Sequence, residues 1–249
     1  MDGLGTLTGL HPLSPLTADE IEAASKLVLA ELPNAAEARF EAIELAEPDK
    51  AAVRAHQPGD TATRSVWVNA YTPDRPGVVR SLVSLTDSKI VESRYLPDVT
   101  PMIAPEEFME VENAVKADPR FQAAITRRGL DLEMVTCDPW SAGNFGVAEE
   151  VGRRVSYVHC WVRNSALDNQ YAHPIQGLNA TVDIATGEVL SVRDVGDVPV
   201  PRGEGNYDRE FQTEVRQDLR PINVVQPEGV SFHLDGHRLT WADWDLRIG

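Results

Sequence analysis

The sequence is poor in cysteine, in basic residues and in long apolar runs, and each shortage argues against a class of protein. Two cysteines among 249 residues cannot form the disulfide framework of a small secreted domain. A formal net charge of −16 argues against binding to nucleic acids and anionic membranes, which requires clustered Lys and Arg. No apolar run approaches the length of a membrane span, and residues 1–10 do not have a signal-peptide pattern. We therefore expect a cytoplasmic protein.

Residue sets that carry out catalysis are also missing. The sequence contains no His-x-His pair, and His233 and His237 flank a predicted turn, so we expect no metal site there. It contains no Gly-x-Ser-x-Gly nucleophile motif. Cys137 and Cys160 lie in predicted strands that could be neighbours, and we interpret both as buried free thiols. We assign no catalytic, cofactor-binding or metal-binding residue to this chain.

What the sequence does contain is a globular composition, with 42% hydrophobic residues, and a structural pattern that occurs twice. In the first copy, Thr17 and Glu20 form a capping box at the start of a helix. Ile21, Ala24 and Val28 then recur at helical spacing, and the helix is predicted to end at residues 33–34. Four strands are predicted after it, at 39–45, 63–71, 78–85 and 89–95.

The second copy begins at Pro105, a residue suited to the first position of a helix. Phe108, Val111 and Val115 form the predicted apolar stripe, and a second short helix ends at Gly129. Strands are predicted at 132–137, 154–162, 178–184 and 188–195.

The two copies align with a nearly constant offset. Their helices start 88 residues apart, their central strands are 90 apart and their last hairpins are 99 apart, because the second copy has a longer loop at about 163–176. The repeat predicts an α+β protein with two tandem domains, each a helix packed on an antiparallel sheet. We expect the domains at 8–97 and 98–198, followed by a Pro- and Gly-rich linker at 199–222.

The stretch 223–249 is different again. It predicts a β-hairpin around Asp235-Gly236, then a strand in which Trp244, Leu246 and Ile248 alternate with charged residues. Leaving the apolar residues of this stretch exposed forfeits on the order of 5–10 kcal/mol. We therefore expect either that these strands pack back on the second domain or that they begin a domain that continues beyond this chain.

Aromatic residues concentrate in the second half of the chain. Tyr157 and Trp161 share a face of a predicted strand, and we expect both in the core. Trp140 and Tyr171 are predicted to lie in loops. A tryptophan in a loop either covers a domain core or lines a pocket or an interface, and the sequence leaves both interpretations open.

Five strings, in this order, resemble the topaquinone-dependent, copper-containing primary-amine oxidases, and the resemblance covers nearly the whole chain. It is carried by His11-Pro-Leu-Ser-Pro-Leu-Thr17, Asp138-Pro-Trp-Ser-Ala-Gly-Asn-Phe145, Tyr171-Ala-His-Pro-Ile-Gln-Gly-Leu178, Val198-Pro-Val-Pro201 with Gly205-Asn-Tyr207, and Gln226-Pro-Glu-Gly-Val-Ser-Phe232 with Trp241-Ala-Asp-Trp244.

The resemblance implies two small N-terminal domains similar in fold to cystatins, followed by a large catalytic β-sandwich. Residues 223–249 would be only the opening hairpin of that β-sandwich, a truncated stub. In the family, the β-sandwich holds copper on three His and a quinone made from its own Tyr. It oxidises primary amines with oxygen to aldehydes, ammonia and hydrogen peroxide, and works as a homodimer. Copper and topaquinone are thus implied for the full-length protein, and this chain alone is expected to bind neither and to be inactive.

The resemblance also suggests site residues. In the family, the second small domain contributes side chains to the mouth of the amine channel, and Phe108, Trp140 and Tyr171 match those positions. Asn206-Tyr207-Asp208 resembles the sequence around the quinone-forming Tyr, but copper ligands do not accompany it, so we do not assign it that role. Two other hypotheses remain open: a stand-alone binding or scaffold protein of two cystatin-like domains, and an independent enzyme with a site between the domains.

Overall fold

The computed structural model describes residues 10–143, 145–212, 214 and 216–248, which form two compact units. The first unit contains the described residues up to Pro101 together with those from Arg220 onward, and the second is Met102–Leu219. Each contains a four-stranded antiparallel sheet in which consecutive strands are neighbours. The α+β class predicted from the repeat is therefore confirmed. Among the described residues, no helix is long and apolar enough to cross a bilayer.

The first unit follows the predicted element order closely. Thr17 caps helix α1, since its hydroxyl accepts a hydrogen bond from the Glu20 N–H and the Glu20 carboxylate accepts one from the Thr17 N–H. A second helix, α2, is not predicted, because its six residues include no buried side chain and therefore no apolar stripe. The elements are α1 (Ala18–Glu31), β1 (Arg39–Ala46), α2 (Lys50–Ala55), β2 (Ser65–Tyr71), β3 (Val78–Ser84) and β4 (Lys89–Leu96).

Helix α1 covers one face of this sheet. Val66, Val68 and Ala70 alternate along β2, are fully buried, and pack in one cluster with Ala24 and Val28 of the helix. The intervening residues of β2 face away from the helix. The predicted helix-on-sheet layer is therefore present in the first unit.

The second unit repeats the arrangement with an additional helix. Its core contains Val111 and Val115 from α3, Phe121 and Ile125 from α4, and Val158 from the sheet. Gly129 ends α4 with a φ of 64°, as the sequence predicts. The elements are α3 (Pro105–Ala117), α4 (Pro119–Arg127), β5 (Val135–Ser141), β6 (Val155–Val162), β7 (Pro174–Asp183) and β8 (Glu188–Asp194).

Two predictions for strands of the second unit are wrong. Residues 132–134 form a 3-10 turn, and the strand β5 starts at Val135 and continues to Ser141, so Trp140 lies at the end of a strand rather than in a loop. Tyr157 and Trp161 do share a face of β6, but they are only half-buried, because the buried positions are the alternate ones. The core face of β6 consists of smaller residues, namely Ser156, Val158, Cys160 and Val162.

The predicted stripe of helix α3 also needs correction at one position. Phe108 is 44% exposed, whereas Glu107 beside it is 1% exposed. The Glu107 carboxylate accepts a hydrogen bond from the Ala104 N–H at 2.7 Å and binds the Arg154 guanidinium at 2.7 Å. Burial is therefore tolerated because the charge is paired and hydrogen-bonded.

This buried ion pair occurs in both repeats. In the first unit, Glu20 of α1 binds Arg64, and the two side chains are 0% and 2% exposed. In the second unit, Glu107 of α3 binds Arg154, at 1% and 12% exposed. In each case the Glu is the third residue of the helix, and the Arg directly precedes the second strand of the sheet. The pair thus joins the start of the helix to the sheet in each domain.

Residues 232–247 form a separate three-stranded sheet that belongs to the first unit. The predicted hairpin at Asp235-Gly236 is present, and a third strand follows it. Trp241 and Trp244 remain 53% and 59% exposed. The pKa of His11 is lowered by burial and by neighbours that include Arg247 of this sheet. The strands are β9 (Phe232–Asp235), β10 (Arg238–Trp241) and β11 (Trp244–Arg247), in the order β11-β10-β9.

Candidate functional site

Four aromatic rings form a continuous line on the outer face of the sheet in the second unit. Trp140 meets His159 with ring centroids 5.4 Å apart, and Trp161 meets Tyr171 at 5.2 Å, both edge to face. His159 and Trp161 are 6.1 Å apart, which joins the two pairs. We call these four residues the aromatic row. Its ends are open, because Trp140 and Tyr171 are 59% and 61% exposed.

The strand geometry explains why these rings meet. His159 and Trp161 are two residues apart on β6 and therefore project from the same face. Trp140 lies on the neighbouring strand β5, where Asp138 is directly opposite His159, so Trp140 and His159 are diagonal neighbours. Tyr171 comes from the 3-10 turn Gln170–Ala172 just before β7. The row therefore combines side chains from two strands and one turn.

A carboxylate lies beside the row. The Tyr171 hydroxyl donates a hydrogen bond to Asp138 Oδ2 at 2.8 Å, and this bond, together with burial, raises the pKa of Tyr171. The hydroxyl therefore stays protonated and acts as a donor. Asn179 Nδ2 lies 3.2 Å from His159 Nδ1, a contact that holds the imidazole in place. Exposed aromatic faces beside a carboxylate suit a ligand that has a ring or a cationic amino group. The aromatic row can therefore act as a binding surface for such a ligand.

The structure brings together two of the three residues that the sequence predicts for a substrate channel. Trp140 and Tyr171 are the two ends of the aromatic row. Phe108 belongs to helix α3, whose Val111 and Val115 pack on the core face of the sheet. The row lies on the opposite face of that sheet. Phe108 is therefore placed on the helix side of the domain, apart from the other two rings.

The turn that carries Tyr171 is tied to the linker after the sheet. The Asn169 N–H donates to Asn206 Oδ1 at 2.7 Å, and Asn169 Nδ2 donates to the Gly205 carbonyl at 2.7 Å. A Cβ on Gly205 would lie 2.4 Å from Ala172 Cβ, so the close approach of the two segments requires glycine. Asn206 Nδ2 in turn donates to Asp168 Oδ1 at 3.0 Å. We call this set of contacts the linker tie.

His173 completes the linker tie from the core side. It is 1% exposed, and its Nδ1 donates to the Pro201 carbonyl at 2.8 Å. Its Nε2 lies 3.0 Å from Asp168 Oδ2. The pKa of Asp168 is lowered mainly by the hydrogen bond from the Asn164 N–H, with further contributions from Asn206 and His173. Asp168 therefore stays charged and contacts both Asn206 of the linker and His173 beside the turn.

Comparison with known domains identifies the family. The profile of the "Copper amine oxidase, N2 domain" matches residues 11–96, and that of the "Copper amine oxidase, N3 domain" matches residues 106–214. The chain belongs to the copper amine oxidase family. It represents the N-terminal region of a family member, and the two matched domains correspond to the two sheets described above.

Individual relatives agree with this assignment. The chain is 40% identical over 245 residues to a primary amine oxidase of Arthrobacter sp. strain P1, covering 96% of this chain and 37% of that protein. It is 39% identical over 247 residues to a histamine oxidase of Arthrobacter globiformis, covering 96% and 35%. The chain thus spans little more than a third of the length of these relatives. A copper-containing benzylamine oxidase of Hansenula polymorpha shares its fold, with a TM-score of 0.72 at 22% identity over 96% of this chain and 40% of that one.

Potential metal ligands are dispersed in the part of the chain that the structure describes. Over residues 10–143, 145–212, 214 and 216–248, no three or more His, Cys, Asp or Glu side chains lie together as metal ligands would. Asn206, in the string that resembles a quinone site, instead bonds to Asp168 and Asn169. Tyr207 beside it is 86% exposed. We derive no catalytic step from this region.

Three residues of the aromatic row and its surroundings are not predicted as site residues from the sequence. His159 links Trp140 to Trp161, and Asp138 supplies the carboxylate, but neither is singled out by a motif of its own. The sequence pattern assigns Trp161 to the core together with Tyr157, because the two share a face of the predicted strand. Strict alternation along β6 would have revealed the outer face, since Val158, Cys160 and Val162 already supply a complete core stripe.

Proposed function

We propose that this chain is the non-catalytic N-terminal region of an amine oxidase that uses copper and topaquinone. The whole enzyme would convert a primary amine and oxygen into an aldehyde, ammonia and hydrogen peroxide. The observation that carries the proposal is the successive match of the family's N2 and N3 domains to residues 11–96 and 106–214. The names of two relatives, a primary amine oxidase and a histamine oxidase, support the reaction class.

The aromatic row is our candidate for the contribution of this region to substrate selection. Trp140 and Tyr171 would line the mouth of the amine channel in the whole enzyme, with Phe108 as a further lining residue from the helix side. Exposed ring faces attract an aromatic or cationic ligand, and the Asp138 carboxylate favours a positive charge. These features support selection of amines by the apolar part of the substrate as well as by the amino group.

A reconstitution experiment tests whether copper binding and amine oxidation require residues beyond this chain. The 249-residue chain is loaded with Cu²⁺, dialysed, and assayed for retained copper and for peroxide release with benzylamine, histamine and methylamine. We expect no stoichiometric copper and no peroxide. A protein that comprises this chain and the residues that follow it in its gene is expected to retain copper and to release peroxide. Tightly bound copper or amine-dependent peroxide from the 249-residue chain would contradict the proposal.

Selection by the aromatic row is tested in the same longer protein. Trp140→Ala is expected to raise KM for benzylamine more than for methylamine, because only the former loses a ring contact. Phe145→Ala is a matched control, since Phe145 is 79% exposed and does not belong to the row. If Trp140→Ala leaves the ratio of kcat/KM for the two amines as it is in the wild type, the row plays no part in selection.

Two further properties belong to the same proposal. The family resemblance favours a homodimer, which light scattering of the longer protein would test. A cytoplasmic location agrees with two cysteines that the structure holds as free thiols. Cell fractionation with an antibody against this region would test it, and recovery in a peroxisomal fraction, as the name of a tobacco relative indicates for that protein, would contradict it.

A further inference from the structure

The two cysteines face each other across a pair of strands. Cys137 on β5 and Cys160 on β6 are direct register partners, and their sulfur atoms are 3.8 Å apart. The two residues are 2% and 4% exposed. Both side chains therefore project from the same face of the sheet into the core. These 249 residues contain no other cysteine, so no alternative pairing within this stretch exists.

The backbone around the two cysteines is already suited to a bond between them. The Cys137 N–H points away from β6 and donates to Glu112 Oε2 of helix α3 at 3.1 Å. The pair therefore occupies a non-hydrogen-bonded position of the ladder, where opposite Cα atoms approach to about 4.5 Å. Disulfides span Cα separations of about 4.4–6.8 Å. Side-chain rotation, without movement of the strands, would bring the two sulfur atoms to bonding distance.

We propose that Cys137 and Cys160 form a reversible disulfide across β5 and β6 when the protein meets hydrogen peroxide. One thiol attacks the peroxide oxygen, which breaks the O–O bond, gives a sulfenic acid and releases water. The second thiol then attacks the sulfenic sulfur, forms the S–S bond and releases a second water. The two sulfur atoms together supply the two electrons that reduce the peroxide. The proposal needs no amine oxidation, although hydrogen peroxide is the product that the proposed function would release.

The surroundings determine how fast this step occurs. Contact with Cys137, together with burial, raises the pKa of the Cys160 thiol, so this thiol is protonated and unreactive at rest. Strand β5 is the edge of its sheet, and an edge strand opens more readily than a central one. Oxidation should therefore follow local opening of β5 and be slow, over minutes to hours. The disulfide would close a loop that contains Trp140 and would hold the edge strand, with one end of the aromatic row, to β6.

Intact-mass spectrometry of the 249-residue chain tests this inference. The reduced protein is exposed to hydrogen peroxide, quenched with catalase, denatured and treated with iodoacetamide. We expect a monomer in which neither cysteine is alkylated, with a peptide map that joins the segments around Cys137 and Cys160. Dithiothreitol should restore two alkylated thiols. The midpoint of thermal unfolding of the second unit should rise by about 5–15 °C on oxidation, because the closed loop restricts the unfolded chain.

Single variants give the matched controls. Cys137→Ser and Cys160→Ser each leave one thiol, and neither should show the peroxide-dependent rise in midpoint. The wild type decides the outcome even if a variant fails to fold. Two thiols still alkylated after peroxide treatment, a sulfinic acid on one cysteine, or a disulfide found only between two molecules would each overturn the proposal.

Discussion

The buried pair Glu20–Arg64 should dominate the stability of the first unit. Arg64 donates to both carboxylate oxygens of Glu20, at 2.5 and 3.1 Å. It also donates to backbone carbonyls of the segment before the helix, including that of Ser14 at 3.0 Å. Arg64→Met keeps most of the side-chain volume but leaves an uncompensated buried carboxylate. Removing one partner of a buried pair costs about 3–5 kcal/mol. In a domain of about 100 residues this lowers the midpoint by more than about 10 °C.

The pH dependence gives a second readout of the same pair. Burial alone would raise the pKa of Glu20, but hydrogen bonds from Arg64 and Thr17 outweigh it, and the net pKa is lowered. A carboxyl group with a lowered pKa in the folded state stabilises the protein above its unfolded pKa, about 4.3, and this stabilisation is lost as the pH falls through the folded value. The difference between wild type and Arg64→Met should therefore be full at pH 7 and shrink as the pH falls. Protonation of Glu20 relieves the uncompensated buried charge in the variant, and the wild type loses its stabilisation below about pH 4.

Differential scanning calorimetry of the whole chain measures both effects. Arg154→Met is the matched variant in the second unit, and comparison of the two shows which transition belongs to which unit. Glu22→Gln is the surface control on the same helix, because its ion pair with Lys26 is exposed to solvent, and it should change the midpoint little. The reasoning is refuted if Arg64→Met shifts the midpoint no more than Glu22→Gln does.

Three further predictions concern the second unit. Gly205→Ala should destabilise it by about 1–3 kcal/mol in urea unfolding, because the new Cβ meets Ala172, whereas Gly203→Ala meets no atom within 4 Å and should be neutral; equal effects would exclude the linker tie as the cause. Asp138→Asn should lower the pKa of Tyr171 toward its ordinary value, because the charged acceptor is lost. Spectrophotometric titration measures this pKa, with Tyr171→Phe as the control that identifies its signal, and an unchanged pKa in Asp138→Asn contradicts the prediction. Asp194→Asn should lower the free energy of unfolding of the second unit even at high salt, since its partner Arg128 is buried. If high salt abolishes the difference from wild type, the ion pair acts only as a screened surface pair.

Much of the fold can be predicted from local pattern. The capping box at Thr17 and Glu20 locates α1, and the alternating β-branched residues of β2 locate its strand and its buried face. Both features depend on residues within a few positions of one another. The boundaries of β1 to β4 agree with the prediction to within two residues. Helix α2 is missed because a short exposed helix has no apolar periodicity to detect.

Features that depend on cross-strand register are harder to predict. The aromatic row requires Asp138 to lie opposite His159, and it requires the loop before β7 to bring Tyr171 back over Trp161. Neither follows from the spacing of residues along one strand. The buried pair Glu107–Arg154 is missed because an acidic residue in the first helical turn is ordinarily solvated. Its signal is the repeat itself, which places a Glu and an Arg at equivalent positions in both copies.

The edge strand β5 also affects the solubility of the protein. The open edge of a sheet can template pairing with a strand of another molecule through its free N–H groups. The Cys137 N–H is occupied by Glu112, and Pro139, at the next outward position, has no N–H to offer. The middle of this edge therefore presents no free donor to an incoming strand. The contacts that place the two cysteines also protect the sheet against edge-to-edge aggregation, even though the exposed rings of the aromatic row lie immediately beside it.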